Sequence, residues 1–281
     1  GLIREGNDFD YANLEAHYRE NYSLNTHSSN AEHMFFRNEE RISRSMAIAK
    51  WMDELIKEAN VPFPEKVFEV GAGQGNLIEQ LQKLYPDTSF SGCEINENAS
   101  KIARDKGLDV KQGGTSGISE KYNMIIVFGV LEHVASPMMF INDLKEHLHP
   151  GDYLLLGQPM QDVTSHDIFF SDHLHHFHTK HLQYYACKTG FEQIKNSISP
   201  WFAPNFSLHL FQQSSIAEPD TKIEYVDPKK VKTTISEWEQ VFSRTFKLSD
   251  TPNKKFAVYG LSEIAALLYC YGGLNKLAIL L

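Results

Sequence analysis

The sequence predicts an α/β protein built on a doubly wound, mostly parallel sheet of seven strands. Short apolar runs alternate with amphipathic segments from Lys66 to Pro159, as in strand–helix–strand units. The run YNMIIVFGV is almost continuously apolar, as a strand covered on both faces must be. A glycine-rich turn joins the first apolar run to a helical pattern, which is where such sheets receive ligands.

Residues 1–61 read as a helical arm or lid. Asn38 to Lys57 places Ile42, Met46, Ala49, Trp51, Met52, Leu55 and Ile56 at helical spacing. Before it, HYRENYSLNTHSSN is polar and aromatic, and Tyr11, Tyr18 and Tyr22 either close over a site or pack amphipathically. Pro62 and Pro64 then punctuate the chain. KVFEV is the first strand, and Asn76–Leu84 the helix after its glycine turn. SFSGCEI is the second strand, Asn98–Lys106 a helix, LDVKQG the third strand and YNMIIVFGV the fourth. PMMFINDLKEHL is a helix ended by Pro150-Gly151, and DYLLLGQP is the fifth strand. FEQIKNSIS and FSLHLFQQS supply a final antiparallel pair, closing a domain at 62–215. The segment 216–281 reads as a linker, a helix from Pro228 to Phe246 and a strand–helix–strand unit whose last apolar run is cut short, so a continuation or a docked neighbour is expected. Trp51 and Trp201 read as core or interface anchors.

Composition narrows the function classes. The 281 residues carry a net charge of −9, which leaves no global basic surface for nucleic acid or anionic lipid. No apolar run approaches the roughly 18 residues of a membrane span, and GLIREGNDFDYANLE lacks a secretory core. Cys93, Cys187 and Cys270 are odd in number and far apart, which suits a reducing cytoplasm rather than a disulfide scaffold or zinc ribbon. Six of the 13 histidines fall between His166 and His181.

Glu69-Val70-Gly71-Ala72-Gly73-Gln74-Gly75 ends the first strand and opens a helix. Glycines let a ligand approach the backbone, and the helix start offers N–H groups. The dinucleotide fingerprint G-x-G-x-x-G is broken by Asn76 at its third position. The spacing is instead acidic-x-G-x-G-x-G, whose carboxylate suits a cationic amino group. Glu94, ending the second strand, can accept hydrogen bonds from both hydroxyls of a ribose.

EVGAGQG, CEIN, VFGVLEHV and HLHPGDYLLLGQP together resemble the class I S-adenosylmethionine-dependent methyltransferases, over roughly Val61 to Gln213. The resemblance implies a Rossmann-like sheet with S-adenosylmethionine as cofactor. Glu69, Gly71, Gly73 and Gly75 would hold the methionine part, and Glu94 the ribose, with Ile95 packed on adenine. Gly129, Val130, Leu131 and His133 would line the cofactor after the fourth strand. Where the family often has an acidic residue after the third strand, this sequence has Gln112-Gly113-Gly114-Thr115, so the adenine contact falls to backbone or to Thr115.

The segment HDIFFSDHLHHFHTKHL follows the fifth strand, on the ligand side of such a sheet. It reads as a substrate-facing loop with an imidazole as general base. His173 is the first choice, then His176 and His133, with Tyr22, Asp172, His175, His178 and His209 toward the acceptor. A polar loop with histidine bias is the plainer alternative. A metal held by His173, His175, Asp172 and His178 is a weaker one, since methyl transfer needs none, and no metal ligand is assigned. The segment resembles the D-x-I-x-H-E-H-x-x-Y-F-S stretch of sugar C-methyltransferases. Asn205-Phe206-Ser207-Leu208-His209-Leu210-Phe211 resembles their Gly-Gly-Ser-Leu-Arg stretch, and KKFAVYGLSEIAALL the start of their C-terminal domain. The sequence departs from that family in lacking its N-terminal zinc-binding cysteines and in having Ala203-Pro204 where a Glu-His pair precedes Gly-Gly-Ser. A hydroxyl or amine acceptor therefore stands beside carbon.

The expected function is methyl transfer from S-adenosylmethionine to a small, sugar-linked acceptor, in the cytoplasm, in a chain that can form a homodimer. A catalytically silent cofactor-binding module and an NAD-dependent oxidoreductase are the alternatives.

Overall fold

In the computed structural model, two sets of apolar side chains meet on opposite faces of one sheet because the strands alternate their residues with period two. Residues described are 3–4, 16, 19, 32, 34–37, 39–160, 167–170, 172–198, 200–203, 205–214, 228–249, 257–258 and 279–280.

In chain order, β1 (Ile3–Arg4) precedes a hairpin of β2 (Met34–Arg37) and β3 (Glu40–Ser43), and α1 (Arg44–Glu58) follows. Next come β4 (Lys66–Val70), α2 (Asn76–Leu84), β5 (Ser89–Glu94), α3 (Glu97–Asp105) and β6 (Val110–Gln112). After them lie β7 (Tyr122–Phe128), α4 (Pro137–Lys145) and β8 (Leu148–Pro159). The series continues with β9 (His175–His176), α5 (Thr179–Lys188), β10 (Phe191–Ile198), β11 (Phe206–Gln213) and α6 (Pro228–Ser249). Two short strands end it, β12 (Ala257–Val258) and β13 (Ile279–Leu280).

The main sheet has seven strands in the order β10-β11-β8-β7-β4-β5-β6. β4 lies parallel to both β5 and β7, and β11 is antiparallel to β8 and β10. The chain runs from β4 outward to β6, then returns to β7 on the other side of β4. That reversal opens a crevice at the carboxyl ends of β4 and β7. The fold is Rossmann-like, as expected.

On one face Val67, Met124, Ile126, Leu155 and Leu208 pack with Ile48, Met52, Leu55, Ile78 and Leu81 from α1 and α2. On the other face Phe68, Ile125, Val127, Leu154 and Leu156 pack with Ile141, Leu144, Leu182 and Ala186 from α4 and α5. Leu154, Leu155 and Leu156 are all fully buried, so trimming any one to alanine costs about 2–5 kcal/mol.

Two boundaries differ from the sequence reading. The helix expected from Asn38 starts only at Arg44, where the Ser43 side chain accepts from Met46 N–H as N-cap. Residues 34–43 form a hairpin instead, with Glu39 at φ 65° in its turn. Tertiary packing overrides the helical pattern there, since Phe35 meets Trp201 and Phe202 edge-on or tilted, at 5.5 and 5.9 Å. The helix expected to end at Pro150-Gly151 stops at Lys145, and β8 absorbs both residues. Pro150 and Gly151 are exposed, in a stretch where the β7–β8 register shifts, and an edge or irregular stretch tolerates a proline without an N–H. Trp51 is a core residue whose Nε1–H donates to Ser197 Oγ at 2.8 Å, whereas Trp201 stays half-exposed.

The chain divides into two compact units, Leu2–Val163 with Ser171–Glu224, and Thr164–Phe170 with Tyr225–Leu281 and Gly1. Within the second, Phe169 packs edge-on to Trp238 and Phe242 of α6. There β12 and β13 pair in parallel, as the strand–helix–strand reading requires of its strands, while the residues between them lie outside the described set.

Candidate active site

Strand parity places the two acidic strand ends on the same face. Val67 and Glu69 alternate with Phe68 and Val70, and Phe90 and Glu94 alternate with Cys93, so both carboxylates fall on the side covered by α1. They border a cavity of about 580 Å³ at the crevice beside β4 and β7, a size that suits a small ligand.

The glycine turn is built for close approach. Gly71 has φ +74°, and a Cβ there would come within 2.4 Å of Val130 Cγ2. Gly92 on β5 is the counterpart, since a Cβ would meet the Glu69 carbonyl oxygen at 2.7 Å. Gly71 and Ala72 N–H both donate to the Cys93 carbonyl, which ties the turn to β5. Glu94 then holds the turn from the other side. Its Oε2 accepts from Gly73 N–H at 2.8 Å and its Oε1 from Asn96 N–H at 2.7 Å.

The electrostatics set these carboxylates apart from surface acids. Burial, and next the charge of Glu94, push the Glu69 carboxyl up to about 8. Glu69 is 5% exposed, and among the described residues its Oε2 has no hydrogen-bond partner. Burial also raises the Glu94 pKa, against the opposing effect of its backbone N–H donors. The Cys93 thiol, at the same wall, is pushed up to about 12 by burial, so it is inert as a nucleophile.

Of the residues expected around a cofactor, Glu69, Gly71, Gly73, Glu94, Ile95, Thr115, Gly129, Val130 and His133 all line the cavity. Gly75 and Leu131 do not. Gly75 is the left-handed N-cap of α2, packed against Leu108, and Leu131 is a fully buried core residue. The sequence reading missed Glu32, Arg44, Ser45 and Phe128, which also line the cavity. Arg44 and Ser45 open α1, and Arg44 lies 5.7 Å from the centre of the Phe128 ring. An arginine followed by a serine at a helix start carries no spacing signal that would have marked it.

The histidine segment divides. His133 lines the cavity and its ring meets His173 edge-on at 4.8 Å. Its Nδ1 lies 2.8 Å from the Asp172 backbone carbonyl. A carbonyl only accepts, so Nδ1 carries the proton and the neutral ring's lone pair sits at Nε2. The other expected acceptor residues sit elsewhere. His176 is buried on β9, paired with β1, and His175 donates from Nε2 to the Val134 carbonyl at 3.0 Å. His178 leads into α5, where its backbone N–H donates to His181 Nδ1. His209 is fully buried between Gln193 Oε1 and Ser207 Oγ, at 3.2 and 3.0 Å, with both ring nitrogens engaged. None of these four lines the cavity. Tyr11, Tyr18 and Tyr22 lie outside the described residues.

Residues 39–196 match the profile of a methyltransferase domain. The chain belongs to the methyltransferase-domain family. The methyl donor expected for it is S-adenosylmethionine. A ubiquinone biosynthesis O-methyltransferase of Actinobacillus pleuropneumoniae serotype 5b (strain L20) is 30% identical over 120 residues, 38% of this chain and 50% of that protein. The non-reducing polyketide synthase prhL of Penicillium brasilianum is 22% identical over 143 residues, 46% of this chain and 6% of that protein. The methyltransferase chain thus matches half or less of the length of these curated relatives. The structure of the mitomycin 7-O-methyltransferase MmcR has a similar fold, with a TM-score of 0.50 at 14% identity over 60% of this chain and 54% of that one. Among the described residues no helix is long and apolar enough to cross a membrane.

The cavity fits the donor on its own chemistry. A buried carboxylate oxygen without a partner suits an ammonium group, Arg44 suits a carboxylate, and Glu94 retains lone pairs for hydroxyls.

Proposed function

We propose that this methyltransferase acts on a small acceptor, with a nucleotide-linked sugar as the favoured class, and activates it at the His133–His173 pair. The observation that carries the reading is the cavity itself, which brings Glu69, the glycine turn, Glu94 and His133 to one wall. The sugar-linked acceptor is supported by the likeness of residues 166–182 and 205–211 to sugar-modifying relatives in sequence alone. The transfer domain is assigned to residues 62–215, after an arm at 1–61 and before a further segment at 216–281.

When bound, S-adenosylmethionine supplies a methyl carbon made electrophilic by its sulfonium. Glu69 holds the donor's ammonium, Arg44 its carboxylate and Glu94 its ribose hydroxyls, while Ile95 packs on the adenine. Phe128 and Val130 keep water from the wall. His133 Nε2, its lone pair fixed by the bond from Nδ1 to Asp172, accepts the acceptor's proton in the cation-free chain. Most of the rate comes from holding the acceptor in line with the methyl carbon.

Incubation with S-adenosylmethionine and a panel of nucleotide-linked hydroxy- and keto-sugars tests this, with products read as a mass gain of one methylene. His133→Ala is expected to slow turnover about 10²–10⁴-fold. Donor binding without transfer to any member of the panel would remove the sugar-linked acceptor, and an unchanged rate in His133→Ala would remove the activating pair.

A further inference from the structure

We propose that Glu132, His133 and His173 hold a divalent transition-metal cation next to the donor cavity, and that the acceptor is an oxygen nucleophile bound to it. Each side chain offers one ligand atom, and the three atoms lie within 4.8 Å of one another. The inference rests on the methyl-transfer reading for its chemistry but not for its geometry.

The donor set is two imidazoles and one carboxylate. That combination suits first-row divalent cations and leaves coordination positions open for an incoming oxygen. The ring of His133 is already set for the task. Its Nδ1–H is donated to the Asp172 carbonyl, which turns the Nε2 lone pair toward Glu132, whose Oε1 lies 3.9 Å away. Metal-binding histidines are held in this manner by a carbonyl or carboxylate on the far nitrogen. Glu132 is 2% exposed, on the short 3-10 turn Leu131–His133 that follows β7.

The ligands come from two segments that the fold fixes separately. Glu132 and His133 follow the central strand β7, while Asp172 and His173 lead into β9, whose neighbours Leu174 and Phe177 are buried in the core. Bonds of about 2.0–2.1 Å place tetrahedral ligand atoms about 3.4 Å apart, so Glu132 and His133 close by about half an ångström on loading. Rotation of one imidazole and one carboxylate provides that much.

His133 is at once a ligand and a cavity-lining residue, which puts the cation at the acceptor's side of the donor. A hydroxyl bound to the cation loses its proton to water more readily. Its oxygen lone pair then forms the bond to the methyl carbon. The carbon–sulfur bond breaks with its pair on sulfur, and the cation keeps its oxidation state throughout. The departure at Ala203-Pro204 from the pattern of the carbon-methylating relatives agrees with an oxygen acceptor.

Chelator-treated 281-residue chain titrated with Zn²⁺ alone, by calorimetry, tests the site. One equivalent is expected to bind, and His173→Ala and Glu132→Gln are each expected to weaken it about tenfold or more. Absence of a stoichiometric site, or a site of equal affinity in both variants, overturns the proposal. Far-UV circular dichroism checks that each variant folds. Should Glu132→Gln unfold, the half-buried His173→Ala decides alone. Donor binding is measured on the same chelated protein. Zn²⁺ binding without S-adenosylmethionine binding would retain the cation site and defeat the methyl-transfer reading, and the converse would do the opposite.

Discussion

Glu69 at the cavity wall and the imidazoles of His181 and His209 are all buried, but their hydrogen bonding differs. Burial, and next the charge of Glu94, push the Glu69 carboxyl up to about 8, and among the described residues its Oε2 lacks a hydrogen-bond partner. His209 is more deeply buried, yet both ring nitrogens find Gln193 and Ser207. His181 accepts from the His178 backbone at Nδ1. Burial with bonding satisfied builds structure. Burial of a carboxyl without a partner is costly to its charged form and persists where a ligand supplies the counter-charge.

The sharpest way to break this contrast is at Glu94. Glu94→Ala removes the acceptor for Gly73 and Asn96 N–H as well as the hydroxyl contacts, so donor affinity is expected to fall about 100-fold. Equilibrium binding of S-adenosylhomocysteine reads this directly, and a change under threefold would place the ribose elsewhere. The opposite arm is His209. His209→Phe should cost about 1–3 kcal/mol of stability, since Ser207 and Gln193 lose a buried partner. Denaturant unfolding measures that loss, while donor affinity is expected to stay within twofold. A stable His209→Phe that no longer binds donor or acceptor would return His209 to the site.

These two regions also show what a sequence carries. The sheet, its seven strands and the residues that line the cavity beside β4 were legible because each rests on local pattern: period-two runs, a glycine turn, acidic strand ends. The hairpin at 34–43 was not, because Phe35 prefers contacts with Trp201 and Phe202, over 160 residues away in sequence, to the helix that its neighbours suggested. The histidine segment misled in a related way. Composition marked six imidazoles as one functional loop, whereas the backbone sends His175 and His176 into a strand pair and His178 to a helix start. His133, which lies outside that segment, lines the cavity, and His173 packs edge-on against its ring. Glu132 gave no signal in the sequence reading, since its meaning depends on residue 173 approaching it in space.

Glu69 ties the account together through pH. Its folded pKa of about 8 lies above the ordinary 4.5, so its contribution to stability is fully present below about 4.5 and is lost as pH rises through 8. The cofactor-free protein should therefore lose thermal stability between neutral pH and 8. Donor binding runs the other way. An ammonium beside Glu69 favours the carboxylate, so binding expels a proton and strengthens from about pH 6 toward 8, until the donor's own amino group deprotonates in solution.

The most direct test is calorimetric titration of S-adenosylmethionine into the 281-residue chain at pH 7, in two buffers of different ionisation enthalpy. The account predicts one bound donor with release of nearly one proton, a release that disappears in Glu69→Gln. No binding up to about 1 mM donor, or binding whose proton release is the same in wild type and Glu69→Gln, would contradict it.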